Sequence, residues 1–208
     1  TATPTPTPTP APNASYYYKK GEAYYNDGKY QLAINEFTTA IRLNPNYTYA
    51  YGYRGVAYGN LGQHQRAIQD YDKAIQLEPN YVMAYATRGN SYYRLGENQQ
   101  AIEDYNRSYR LGFRWPEVFA AQGRASQLLG KEADARKELN TAISMDPENA
   151  RYHAYLGDFN RGNNGFALAM MDLERALALD KQLICPVCPG ESIYESRATL
   201  AKQMRAVV

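Results

Sequence analysis

The small and aromatic positions of this chain recur on a fixed period. Gly21, Gly55, Gly89, Gly123 and Gly157 stand 34 residues apart. Tyr17, Tyr51, Tyr85, Phe119 and His153 lie four residues before them, and Tyr24, Tyr58 and Tyr92 lie three after the first three. Spacings of three and four place these side chains on one face of a helix. A second stripe starts twelve residues beyond each glycine with Ala33, Ala67, Ala101, Ala135 and Ala169. It continues four residues later with Phe37, Tyr71, Tyr105, Leu139 and Leu173, and three further on with Ala40, Ala74, Ser108, Ala142 and Ala176. Small residues flanking a bulky one mark a helix whose axis comes close to another. The pattern predicts helices over about 14–27 and 30–43, with copies offset by the same period.

The punctuation keeps the same beat. Gly28, Gly62, Gly96 and Gly130 fall between the two stripes, where a left-handed residue ends a helix. Pro45, Pro79 and Pro147 stop the second helix before the next copy starts. This order of aromatic, Gly, Tyr, Ala, aromatic, Ala and Pro resembles the tetratricopeptide repeat family over about residues 14–181. The resemblance implies an all-α, right-handed superhelical solenoid of five repeats (14–47, 48–81, 82–115, 116–149 and 150–181) and a role in binding peptides. Lys20, Arg54, Arg88 and Gln122 stand where the family often has Leu, and Ser126 and Asn160 replace the Tyr. Phe113 and Lys181 replace the terminal Pro, and Gly165 sits one residue late. Trp115, in the irregular Phe113-Arg114-Trp115-Pro116 turn, is expected to act as a hydrophobic plug.

Residues 1–13 form a Thr/Pro-rich arm. Prolines at alternate positions remove backbone donors and fix φ, so the arm is expected to be extended polyproline II. With no internal hydrogen bonds, it can be ordered only by a protein surface. Residues 182–208 hold Cys185-Pro-Val-Cys188 and then an amphipathic helix from about Ser192, suited to capping the last repeat.

Composition narrows the function classes. The 208 residues carry 23 basic and 21 acidic side chains, so no basic face is available for nucleic acid. No apolar run approaches the roughly 18 residues of a membrane span, so no membrane insertion is expected. The chain lacks an initiator Met and starts within the Thr-Pro run, which points to a mature exported protein, extracellular or at the cell surface, with a periplasmic location as the alternative.

The distinctive feature is 21 Tyr against 5 Phe and 1 Trp. Many of the tyrosines are repeat-core positions. Others fall on the concave face that first helices present in such an array, giving a candidate peptide groove of Tyr18, Tyr25, Tyr49, Tyr53, Asn60, Met83, Asn90, Tyr93 and Arg94. Glu22, Gly52, Val56, Gly59 and Ala86 lie among them. Copies four and five present Glu117, Ala120, Arg124, Gln127, Arg151, Tyr155, Asp158 and Arg161 instead. Aromatic grooves with gaps grip proline-rich segments, which are ordered before they bind. The chain carries such a segment in Thr3, Pro4, Thr5, Pro6, Thr7, Pro8, Thr9 and Pro10. Inserted into a neighbouring copy, that arm would build a head-to-tail homopolymer, an extracellular filament. The alternative is an exported or periplasmic scaffold that binds an extended or Pro-rich peptide of another protein.

Candidate chemistry is sparse. Cys185 and Cys188 are expected to form a local disulfide in an oxidising compartment. Pro189 stands where haem attachment needs His, and only His64 and His153 remain as further zinc ligands of the His/Cys type. A thiol oxidoreductase is the third reading, without the usual activating neighbours. His64 is expected on the surface and His153 in an aromatic core position. No catalytic triad, carboxylate pair or phosphate loop stands out, so the expectation is a non-enzymatic protein without metal or cofactor. Asn13, Asn46 and Asn106 begin N-glycosylation triplets, and the Thr run is the better glycosylation candidate.

Overall fold

The computed structural model describes residues 12–163 and 165–179, the side chain of Phe166 excepted. The arm over 1–11, the Cys185–Cys188 pair and the C-terminal helix expected within 182–208 lie outside the described residues. Among the described residues ten helices follow one another: α1 (Ala14–Asn26) packs with α2 (Tyr30–Leu43) and α3 (Thr48–Asn60) with α4 (His64–Leu77), then come α5 (Val82–Arg94) and α6 (Asn98–Arg110). They continue with α7 (Pro116–Leu128) and α8 (Glu132–Met145), then α9 (Ala150–Gly162) and α10 (Phe166–Leu179). The bounds agree with the periodic pattern to within a residue. The chain divides after Leu95 into two compact units, so that α1–α5 belong to unit 1 and α6–α10 to unit 2.

Each turn within a pair is closed by backbone geometry. Gly28 adopts φ 73°, and the N–H of Lys29 bonds to the carbonyl of Tyr24 at 2.8 Å. This six-residue closure satisfies a carbonyl that the helix end leaves unpaired. The same bond runs from Gln63 to Tyr58 and from Lys131 to Ser126, both at 2.9 Å. Gly165, although one residue late, makes the matching bond to Asn160 at 2.8 Å, so the fifth pair closes as well.

The core is built from the second stripe. Ala33, Phe37 and Ala40 are fully buried, as are Ala135, Leu139 and Ala142. The periodic glycines are where a bulky residue of the second helix lies flat on the first. A Cβ on Gly21 would stand 2.6 Å from Phe37 Cε1, and one on Gly55 would stand 2.6 Å from Tyr71 Cε1. Helix pairs thus approach to backbone contact and bury whole rings, each contributing about 1.5–3 kcal/mol.

The polar residues standing where the resemblance has Leu reach sideways to second helices. Lys20 pairs with Glu36 at 2.8 Å, and Arg54 with Asp70 at 2.7 Å. Arg88 pairs with Asp72, and Gln122 donates to Asn106 at 3.2 Å. A polar rail replaces an apolar row.

Three expectations need correction. Trp115 does not plug the turn: it is 56% exposed and stacks on Phe113, ring centroids 4.9 Å apart. Gly112 at φ 99° and Pro116 at the first helical position hold that turn by backbone geometry, and the indole stays at its surface. His153 is half-buried rather than a core residue, and its Nε2–H donates to the carbonyl of Pro147 at 3.0 Å. Tyr85, two periods earlier, donates to Pro79 in the same way at 3.1 Å, so the position selects a ring with a polar tip. His64 is not a plain surface residue. Its Nδ1 is buried without a hydrogen-bond partner, and burial, then the charge of Arg94, hold its pKa below the usual imidazole value.

Candidate functional site

The first helices of unit 1 and the loop residue before α5 enclose a cavity of about 520 Å³. Its walls are Tyr18 and Tyr25 of α1, Tyr49, Gly52, Tyr53 and Val56 of α3, Tyr81, and Met83, Ala84 and Thr87 of α5. No charged side chain lines it. The rings brace one another in edge contacts. Tyr53 stands at 89° to Tyr18 and 88° to Tyr25, with centroids 5.7 and 6.1 Å apart, and Tyr49 stands at 83° to Tyr81 at 5.5 Å. Edge-to-face packing of this kind fixes ring positions and leaves faces open toward a ligand.

Hydroxyls complete the arrangement. Tyr18 donates to Glu22 at 2.9 Å, and Asn60 donates to Tyr25 at 3.3 Å while also bonding the carbonyl of Val56 at 3.0 Å. Burial, and then the bond to Glu22, push the Tyr18 phenol well above its ordinary pKa. Burial, and then Tyr53, do the same for Tyr81. Both phenols stay neutral, Tyr18 with its hydrogen on Glu22 and Tyr81 with its O–H at the edge of an apolar space.

Of the residues predicted for the groove, Tyr18, Tyr25, Tyr49, Tyr53 and Met83 come together around the cavity, and Asn60 braces it through Tyr25. Asn90, Tyr93 and Arg94, further along α5, are not among its lining residues. Sequence reasoning missed Tyr81, Ala84 and Thr87. Tyr81 matters most, because its ring fills the space left by Gly52, where a Cβ would stand 2.8 Å from Tyr81 Cε1. The clue was present: Tyr47, Tyr81 and Trp115 also stand 34 apart, in the turns rather than on a helix face. Among the described residues no group of three His, Cys, Asp or Glu side chains is placed to hold a metal ion. Among the same residues no helix is long and apolar enough to cross a membrane.

A scaffold of paired helices closing on small residues, with a ligand-sized cavity between first helices, is the class of a helical repeat protein that serves as a protein-interaction scaffold. Tetratricopeptide repeat models match residues 14–47, 48–81, 70–103 and 121–183, and the chain belongs to the tetratricopeptide repeat family. A further model, described as Cytochrome C biogenesis protein, matches residues 168–208. No curated protein sequence matches the chain. Among solved structures, residues 41 to the end of MamA from Desulfovibrio magneticus RS-1 are 21% identical, with a TM-score of 0.75 over 81% of this chain and 95% of that one. YrrB, described as a TPR protein with an unusual peptide-binding site, is 16% identical, with a TM-score of 0.69 over 83% and 89%. The first TPR of Spaghetti (RPAP3), bound to the HSP90 peptide SRMEEVD, is 29% identical, with a TM-score of 0.56 over 57% of this chain and 94% of that one.

Proposed function

We propose that the chain is a non-enzymatic scaffold whose unit 1 cavity holds an extended, proline-bearing polypeptide segment. One observation carries this reading: five tyrosines and no charged side chain line a space of about 520 Å³, within the range of ligand pockets. Aromatic faces with small residues between them suit pyrrolidine rings, and a polyproline II ligand loses little entropy on docking. Peptide binding by YrrB and by the RPAP3 repeat supports the general role.

Calorimetry with an acetylated and amidated Thr-Pro-Thr-Pro-Thr-Pro-Thr-Pro peptide, the sequence of residues 3–10, tests the site. Saturable binding is expected, with Tyr53→Ala weakening it about tenfold, the loss of one aromatic face. Unchanged binding by that variant would remove the cavity from the account.

The finer proposal is that the arm belongs to a second copy of the chain, so that arm-to-cavity contacts repeat head to tail and give an exported filament. Light scattering of the chain beside a version lacking residues 1–12 decides it. The same mass in both samples would leave the cavity to a foreign peptide.

A second reading is favoured by the match of residues 168–208 to the cytochrome c biogenesis model, a stretch that contains Cys185 and Cys188. In it the repeats hold a polypeptide while the cysteine pair exchanges disulfides with it. One thiolate attacks a partner disulfide, releasing a partner thiolate, and the other cysteine resolves the mixed disulfide into a Cys185–Cys188 bond. The Cys-X-X-Cys-His segments that carry c-type haem are polypeptides of the kind such a pair would act on. Trapping a mixed disulfide between a Cys188→Ser variant and an oxidised Cys-X-X-Cys-His peptide is the expected result. Failure to trap it with either single-cysteine variant would return the pair to a structural role.

A further inference from the structure

Unit 2 carries a face of the opposite chemistry. Three periods on from Glu22 and Tyr53, the corresponding residues are Arg124 of α7 and Tyr155 of α9. The Arg124 guanidinium lies over the Tyr155 ring, its carbon 4.6 Å from the centroid. Its Nε is buried with no hydrogen-bond partner, and among the described residues no ion pair joins it to a carboxylate side chain of α7–α9. One acid of this face is already paired and the other lies beside Tyr152. Asp158 is held by Arg161 at 2.6 Å, and Glu117 sits against Tyr152, whose phenol is pushed up by burial and then by the Glu117 charge. Arg151, one turn before Tyr155 on α9, is exposed and adds a second cation.

A guanidinium held over an aromatic ring is fixed in orientation, and with Nε buried it is the Nη pair of this half-exposed residue that can take a carboxylate bidentately. Partly withdrawn from water with no anion beside it, Arg124 is a charge awaiting compensation. We propose that the α7–α9 face of unit 2 binds an acidic stretch of an extended polypeptide, one Glu or Asp side chain taking the edge of Arg124 and another meeting Arg151. Two guanidinium groups on separate helices match two carboxylates spaced along a chain rather than one chain terminus. Glu117 and Asp158 on the same face disfavour a doubly charged phosphate.

The test uses the full chain and a fluorescein-labelled Gly-Glu-Ser-Glu-Gly-Glu-Ser peptide with an amidated C-terminus, followed by anisotropy. Binding that weakens with added salt is expected, and the same peptide with Gln for Glu should bind about tenfold more weakly or less. Arg124→Gln should weaken the Glu peptide about tenfold, and Arg124→Lys should not restore it, since a point charge lacks the fork. Arg42→Gln, at an exposed position of α2 in unit 1, should leave it unchanged. Absence of binding, equal binding by Arg124→Gln, or equal binding by a Gln peptide with a free C-terminus would each overturn the proposal. Should Arg124→Gln fail to fold by circular dichroism, Arg151→Gln at its exposed position decides: a severalfold loss is expected, and no loss overturns it.

Discussion

Arg54 of α3 grips Asp70 of α4 with two edges of its guanidinium, Nε to Oδ2 at 2.8 Å and Nη2 to Oδ1 at 2.7 Å. Its Nη1 also donates to Thr38 of α2 at 3.1 Å, so one side chain ties three helices together. Asp70 is 5% exposed, and removing it would strand a half-buried cation. Asp70→Ala should therefore cost about 3 kcal/mol in urea unfolding, whereas the double replacement by Leu at both positions should retain most of the stability. Glu36→Gln, which breaks the more exposed Lys20 pair, should produce no measurable change.

Two glycines separate close packing from backbone strain. A Cβ on Gly55 would press within 2.6 Å of Tyr71, a ring 2% exposed that has nowhere to go. Gly55→Ala should cost about 3 kcal/mol. Gly62 has open space around it but a φ of 73°, so Gly62→Ala should cost only about 1 kcal/mol. Equal costs in denaturant titrations would contradict the backbone-to-ring contact.

Gly52 offers a way to close the cavity with little loss of fold. Its missing Cβ leaves room for Tyr81, whose ring is only half-buried and can swing outward. Gly52→Ala should shift the melting temperature by a few degrees at most while weakening the Thr-Pro peptide about fivefold or more. Strong binding retained by this variant would place the peptide elsewhere.

Asp172 of α10 gives a pH signature. Burial holds its carboxyl above the ordinary aspartate value, although Asn160 donates to it at 2.7 Å. The folded chain thus takes up this proton more readily than the unfolded chain, and stability falls as pH rises from the unfolded value through the raised folded one. Asp172→Asn should raise the melting temperature at neutral pH and flatten the acid side of the stability profile. A variant that keeps the wild-type slope would assign it to another group.

Much of the architecture is legible before any coordinates. A strict period makes each helix state its own bounds several times over. Gly28, Gly62 and Gly130 adopt the left-handed turn because only a residue without Cβ does so at no cost. The tyrosine-lined side of unit 1 follows from helix geometry alone, since Tyr18, Tyr25, Tyr49 and Tyr53 share the face that the core residues leave free. Asn90, Tyr93 and Arg94 satisfy the same rule and yet do not line the cavity, because a shared face does not say how far along a helix the enclosing rings reach.

The sequence by itself determined the repeat, the helix pairing and which stripes are buried, because these depend on spacings of three, four and 34 residues along one chain. Tertiary structure alone decided that Tyr81 sits against Gly52, that Trp115 stays at the surface, and that Arg124 rests on Tyr155 with its Nε buried and without a partner among the described residues. Each of these depends on what packs around the residue rather than on its place in the period. Local periodicity says which side a residue faces, and only the packed helices say what meets it there.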